Sequence, residues 1–281
     1  MDLKLKDKLV IVTGSTGDGI GRYIAEELFR QGAYVVINGR SQGSVDKTIQ
    51  DIIMIAEGNS VPYDATTKLI GVPGDVSSAE GSNKFLADVQ AVESKLGIPV
   101  YGLVNNVGIF EAKEFADISD DKWIEYYQTN TMSGVRLSRH FLPLMKQKNE
   151  GRIVFISSEC GFRPLPHMLP YGVSKTSQIA LARGLAEMTK GTAVTVNSVL
   201  PGPTMTGGVL KYMQEFAQLH NIPTMEEAVA TYFKDAEPTS LLQRFLDPKE
   251  VAAVTVFILS PLAAGINGAA QLVDGGIVRH I

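Results

Sequence analysis

One cysteine, Cys160, stands in 281 residues. An intramolecular disulfide is therefore impossible, and a reducing compartment is expected. No His/Cys/Asp/Glu cluster has metal-ligand spacing, so no catalytic metal is expected. No apolar run reaches the length of a membrane span. The opening stretch MDLKLKDKLVIVTG has a short apolar run at 9–12 and lacks the longer apolar region and cleavage site of a secretory leader. The expected location is cytoplasmic. There is no dense Lys/Arg tract, and a net charge of −4 argues against a nucleic-acid partner. Internal repeats, low-complexity tracts and a dividing linker are also missing.

What remains is an ordinary globular composition, 44% hydrophobic and 20% charged. A chain of this length buries a substantial core without staples. Short apolar runs alternate with helical stretches. Strands are expected at 8–13, 34–38, 68–74, 100–105, 152–157, 193–200 and 270–273. Helices are expected near 20–31, 44–57, 78–96, 119–147, 170–189 and 248–260, with Pro143 bending the end of the fourth. Such alternation predicts an α/β fold, a doubly wound parallel sheet of about seven strands with helices on both faces. Ligands then bind at the carboxyl ends of the strands.

Thr13-Gly14-Ser15-Thr16-Gly17-Asp18-Gly19-Ile20-Gly21 follows the first strand and opens a helix. Glycines let a backbone approach a pyrophosphate, and a helix N-terminus offers free N–H groups and a positive dipole end. Asp18 is an awkward neighbour for a phosphate and is expected to point into solvent.

Tyr171 and Lys175 share a helix face four residues apart, and Ser158 lies thirteen positions before the tyrosine. An ammonium beside a phenol favours the phenolate, which makes a proton carrier usable near neutral pH. Alone, the pair carries little. In order with the glycine loop, Asn105-Asn106-Val107-Gly108, Ser158 and Pro201-Gly202, it resembles the short-chain dehydrogenase/reductase family over residues 7–276. One departure stands out. The family pattern is T-G-x-x-x-G-x-G, and here four residues separate Gly14 from Gly19.

The resemblance implies a single Rossmann domain and hydride transfer between a nicotinamide and a carbonyl or alcohol carbon. Tyr171 would carry the proton. Lys175 would hold the nicotinamide ribose and lower the tyrosine pKa. Ser158 would donate to the substrate oxygen, and Asn130 would anchor a water linking Lys175 to solvent. Gly14, Ser15, Thr16, Gly19 and Ile20 would line the pyrophosphate. Asp75 and Val76 would contact adenine, although Asp75 could equally cap a helix near Ser78. Asn105 and Gly108 would shape the cofactor floor, and Pro201, Gly202 and Thr204 the nicotinamide side, with Thr206 as the alternative. The position of the family's NAD-selecting acid is Gly39, followed by Arg40, which favours NADP(H) over NAD(H). Asn38 and Ser41 could add neutral hydrogen bonds there.

The loop between Ser158 and Tyr171 is where substrate walls form in the family. Phe162, Leu165 and Met168 suggest an apolar wall; Arg163 or His167 could recognise an acidic group, with solvated surface the leading expectation for both. Residues 203–240 read either as a substrate lid or as a peripheral helical pair with its own small core. The leading expectation is a 3-oxoacyl thioester reductase-like enzyme with a small-molecule substrate. The alternatives are a steroid, sugar or other secondary-alcohol dehydrogenase and, in a different class, a non-catalytic nicotinamide sensor. An enoyl reductase of this fold would need a longer Tyr–Lys spacing, and residue 178 is Gln, so that reading is discounted. A homo-oligomer, tetramer or dimer, built through helices 119–147 and 170–189, is implied by the resemblance alone.

Overall fold

A computed structural model describes residues 2–58 and 67–279 of the chain. Seven parallel strands form one sheet in the order β3-β2-β1-β4-β5-β6-β7. They are β1 (Leu9–Val12), β2 (Tyr34–Ile37), β3 (Leu69–Gly71), β4 (Val100–Asn105), β5 (Gly151–Ile156), β6 (Val194–Pro201) and β7 (Ala270–Val273). Alternation along β1 shows why both faces are covered. Val10 and Val12 enter one core cluster, and Leu9 and Ile11 enter the other.

On the first face pack α1 (Ile20–Arg30), α2 (Gln42–Gly58) and α9 (Pro248–Leu259), through Ile24, Leu28, Val45, Ile52, Val251 and Val256. On the second pack α3 (Ala79–Leu96), α5 (Ser133–Lys148) and α6 (Leu169–Glu187), through Phe85, Val89, Leu137, Phe141 and Ala182. Local chemistry sets the helix ends. Ser78 accepts from Gly81 N at the start of α3, and Gly97 closes that helix at φ 67°. Asp247 and Glu250 form a capping box at α9.

The structure modifies two expectations about elements. β3 is three residues long, shorter than 68–74. The long helix at 119–147 is three pieces: α4 (Asp120–Tyr126), a π-helical segment (Tyr127–Met132) and α5, with Pro143 inside α5. Between β6 and α9 lie α7 (Gly207–Leu219) and α8 (Met225–Asp235). They bury a small core of their own, Met213, Ala228 and Phe233 with Phe245, so the helical-pair reading of this stretch describes its packing.

The order places β1 and β4 side by side, where the two halves of the sheet turn away from each other. Their carboxyl ends open a crevice at that switch point.

Candidate active site

Ser158, Tyr171, Lys175 and Asn130 come from three elements that meet behind this crevice. Ser158 follows β5 and caps a 3₁₀ turn (Glu159–Gly161), its Oγ accepting from Cys160 N at 3.1 Å. The turn packs tightly on α6. A Cβ at Gly161 would lie 2.6 Å from Ile179 and 3.1 Å from the Lys175 carbonyl carbon. Ser157 Oγ donates to Lys175 O at 2.8 Å and fastens the same helix to the end of β5.

α6 starts with Pro170 in its first turn, which puts Tyr171 at the helix entrance and Lys175 one turn below. Lys175 Nζ lies 5.4 Å from the Tyr171 ring centroid. It is buried, and it donates to Ile156 O at 2.8 Å and to Gln178 Oε1 at 3.1 Å. Burial pushes its pKa down to about 8. Burial also pushes the Tyr171 phenol up, with Cys160 adding to the rise. That is opposite to the lowering expected from Lys175. Here desolvation outweighs a lysine that stands over the ring and gives its hydrogen bonds elsewhere. The edge of Phe110 covers the ring, centroids 6.2 Å apart.

Asn130 sits in the π-helical segment, a feature often found at functional sites. Its side chain clamps the segment after β4. Oδ1 accepts from Ile109 N at 2.8 Å, and Nδ2 donates to Ile109 O at 3.0 Å and to Ser174 Oγ at 2.9 Å. Gly108 runs beside it. A Cβ there would be 3.4 Å from Lys175 Nζ and 3.5 Å from Asn130 Oδ1.

Glu159 carries an unforeseen charge into this cluster. Its Oε2 accepts from Ser158 Oγ at 2.6 Å, and Oε1 faces Cys160 Sγ at 3.4 Å. Burial raises its pKa. Arg163 reaches Glu159 Oε1 at 3.9 Å and pairs with buried Glu237, just past α8. Arg163 is therefore tied to carboxylates, not left in solvent as expected. His167 is exposed as expected, and its carbonyl accepts from Lys113 N at 2.8 Å. Burial pushes the Cys160 thiol up to about 12, so it is no nucleophile.

At the glycine loop, Gly14 turns at φ 58° with its N–H on Asn38 Oδ1. Gly19 caps α1 with no side-chain bond to the first turn. Ser15 departs from its expected part. It is buried, its N–H donates to Asn38 O at 2.8 Å and its Oγ to Val12 O at 2.8 Å, so it shapes the turn. Asn38 is likewise buried, with Nδ2 on the carbonyls of Val72 and Gly74, and it is not a surface donor. Ser41 bonds Ser44 at the start of α2. Asp18 is exposed and pairs with Arg22 at 2.7 Å, while its carbonyl receives Gly207 N at 3.3 Å.

Asn105 and Asn106 point to different partners. Asn105 turns under the sheet to Ser138 Oγ at 3.2 Å. Asn106, given no role from sequence, holds Thr13 O and Gly14 O at 2.9 and 3.0 Å and braces the loop. Arg40 is exposed beyond β2. Asp75 is exposed and accepts from Ser77 N at 3.0 Å, Ser78 being the helix cap. Val76 is buried in the second core cluster. Gly202 donates to Val273 O at 2.9 Å directly after Pro201. Thr204 Oγ1 donates to Gly202 O at 2.8 Å, whereas Thr206 caps α7.

Among the described residues no group of three or more His, Cys, Asp or Glu could hold a metal ion, and no helix is long and apolar enough to cross a membrane.

Residues 8–215 match the family model described as short chain dehydrogenase. The chain is 47% identical over 281 residues to the uncharacterized oxidoreductase YvrD of Bacillus subtilis (strain 168), covering 100% of both. It is 32% identical over 277 residues to the 3-oxoacyl-(acyl-carrier-protein) reductase FabG of Aquifex aeolicus (strain VF5), covering 99% of this chain and 100% of that one. Among solved structures, L-sorbose reductase from Gluconobacter frateurii, complexed with NADPH and L-sorbose, superposes with a TM-score of 0.87 at 28% identity over 100% of both chains.

Proposed function

The chain belongs to the short-chain dehydrogenase family and is an oxidoreductase acting on CH–OH groups; on that premise we propose that it moves a hydride between NADP(H) and a carbonyl or secondary alcohol, in the manner of a 3-oxoacyl thioester reductase. The observation that carries the reading is Lys175 Nζ held 5.4 Å from the Tyr171 ring beside Gly108, on a helix that Ser157 and the Ser158-capped turn fasten to the end of β5.

The residues around the crevice suit a dinucleotide. The uncapped first turn of α1 presents N–H groups, and a Cβ at Gly17 or Gly19 would meet nothing within 4 Å. Gly14, Thr16, Gly19 and Ile20 would face the pyrophosphate. Asp75 and Val76 would face the adenine. Gly108, Pro201, Gly202 and Thr204 would face the nicotinamide, with Tyr171 and Lys175 at its ribose. When bound, the nicotinamide supplies or accepts the hydride. NADP(H) is favoured because Gly39 offers no carboxylate to a ribose 2′-OH and the guanidinium of exposed Arg40 is next in the chain.

Tyr171 gives its proton to the carbonyl oxygen on reduction and takes it back on oxidation. Ser158 donates to the same oxygen as charge develops on it. Lys175 keeps an ammonium under the phenol. The α7–α8 pair, joined to the substrate loop by Arg163 and Glu237, acts as the lid. A homo-oligomer in the cytoplasm completes the reading.

A second reading, a sugar or polyol reductase, is favoured by Glu159 and Arg163. They set charge beside Ser158, where a simple acyl chain needs none. NADPH absorbance followed against 3-oxoacyl thioesters, ketoses and simple ketones separates the two. NADPH binding without oxidation by any of them would favour the sensor.

A further inference from the structure

Gln178 lies three residues beyond Lys175 on α6 and is fully buried. Its amide makes two hydrogen bonds of opposite sense. Oε1 accepts from Lys175 Nζ at 3.1 Å, and Nε2 donates to the main-chain carbonyl of Asn130. Only one orientation of the amide works. Turned over, it would set its NH₂ against an ammonium and its oxygen against a carbonyl.

The ammonium has three N–H bonds. Ile156 O and Gln178 Oε1 take two of them. The remaining one is left for the side where Gly108 passes. We infer that Gln178 is a positioning residue: its amide occupies the place between Lys175 and the Asn130 carbonyl that a water was expected to hold, and so fixes both the aim and the charge of the ammonium. The inference rests on the assignment of Lys175 to the hydride-transfer site. An anchored amide, unlike a water, cannot exchange out or change its donor-to-acceptor sense.

The other groups near Lys175 are few. α6 presents Tyr171. The turn after β5 presents Cys160, with Glu159 beyond it. The π-helical segment presents uncharged Asn130, and β5 a main-chain carbonyl. A change at position 178 therefore acts on the ammonium directly.

The test is the titration of Lys175, read by NMR of the full chain labelled with ¹³C at lysine Cε and assigned with Lys175→Arg. Removing the acceptor in Gln178→Leu should lower the Lys175 pKa by about one unit, and a carboxylate in Gln178→Glu should raise it by about one unit or more. The alkaline limb of kcat/KM, on whichever carbonyl the parent accepts, should move in the same two directions. A merely structural residue would lower the melting temperature and leave the titration in place. Titrations that superimpose on the parent in both variants overturn the inference. If Gln178→Leu does not fold, the isosteric Gln178→Glu carries the test alone. If the parent reduces no carbonyl, the enzymatic reading fails while the titration still answers.

Discussion

The Ser158 hydroxyl donates to Glu159 Oε2 across 2.6 Å, so a buried carboxylate competes with substrate for the one proton that Ser158 has to give. The Glu159 pKa is raised by burial, and Glu237 adds to the rise while Arg163 opposes it. Protonated, Glu159 donates to Ser158 Oγ and frees the serine proton. Ionised, it captures that proton.

Activity that depends on Ser158 should therefore fall as pH rises through the Glu159 pKa. Glu159→Gln, whose NH₂ donates at every pH, should lack that limb and exceed the parent by about tenfold on its high-pH side, the scale of one charge-assisted hydrogen bond. The measurement is the pH profile of kcat/KM in both proteins. Parallel profiles would remove Glu159 from this role.

Tyr171→Phe should keep the fold and lower kcat by roughly 10²- to 10⁴-fold, the usual worth of a positioned general acid. Ser158→Ala should cost about 10²- to 10³-fold through the lost donor. Steady-state kinetics beside circular dichroism reads both. A Tyr171→Phe variant turning over at the parental rate would reject the proton-transfer mechanism.

Arg40→Ala should reduce the ratio of kcat/KM for NADPH to that for NADH by about tenfold or more, because a guanidinium–phosphate contact is lost and nothing made to NADH changes. An unchanged ratio would place the 2′-phosphate elsewhere.

Lys175 also predicts a signature in stability. Its folded pKa of about 8 lies below the ordinary lysine value of 10.5, so between them the folded chain holds fewer protons than the unfolded one. Stability then rises with pH across that window. Below pH 8 both states are charged and the full desolvation cost of about 3 kcal/mol is present. Urea unfolding at pH 7 and pH 10 should show the parent gaining on Lys175→Met by an amount of that order. An equal gap at both pH values would mean that the buried ammonium is not strained by its surroundings.

Much of this was legible in the chain because it is local. β4 and β7 fall at their expected residues, since short apolar runs bounded by polar turns leave little choice of ends. Tyr171 and Lys175 meet by helical spacing alone. What sequence spacing could not show lies across the fold. Asn105 and Asn106 are consecutive in the chain and so face opposite sides, and which one meets the glycine loop depends on partners 93 positions away. Arg163 finds Glu237 across 74 positions. The link from Gln178 to Asn130 needs the π-helical segment, which has no local signal in the residues that form it.

The neighbouring of β1 and β4 has a consequence for synthesis. Val10 pairs with Gly102, so the middle of the sheet cannot close until more than a third of the chain has left the ribosome. A half-sheet of β1, β2 and β3 formed before then would have an open, wholly apolar edge at Leu9–Val12. Such an edge invites other strands. A nascent chain carrying β1, β2 and β3 alone would expose the seam that the finished protein hides.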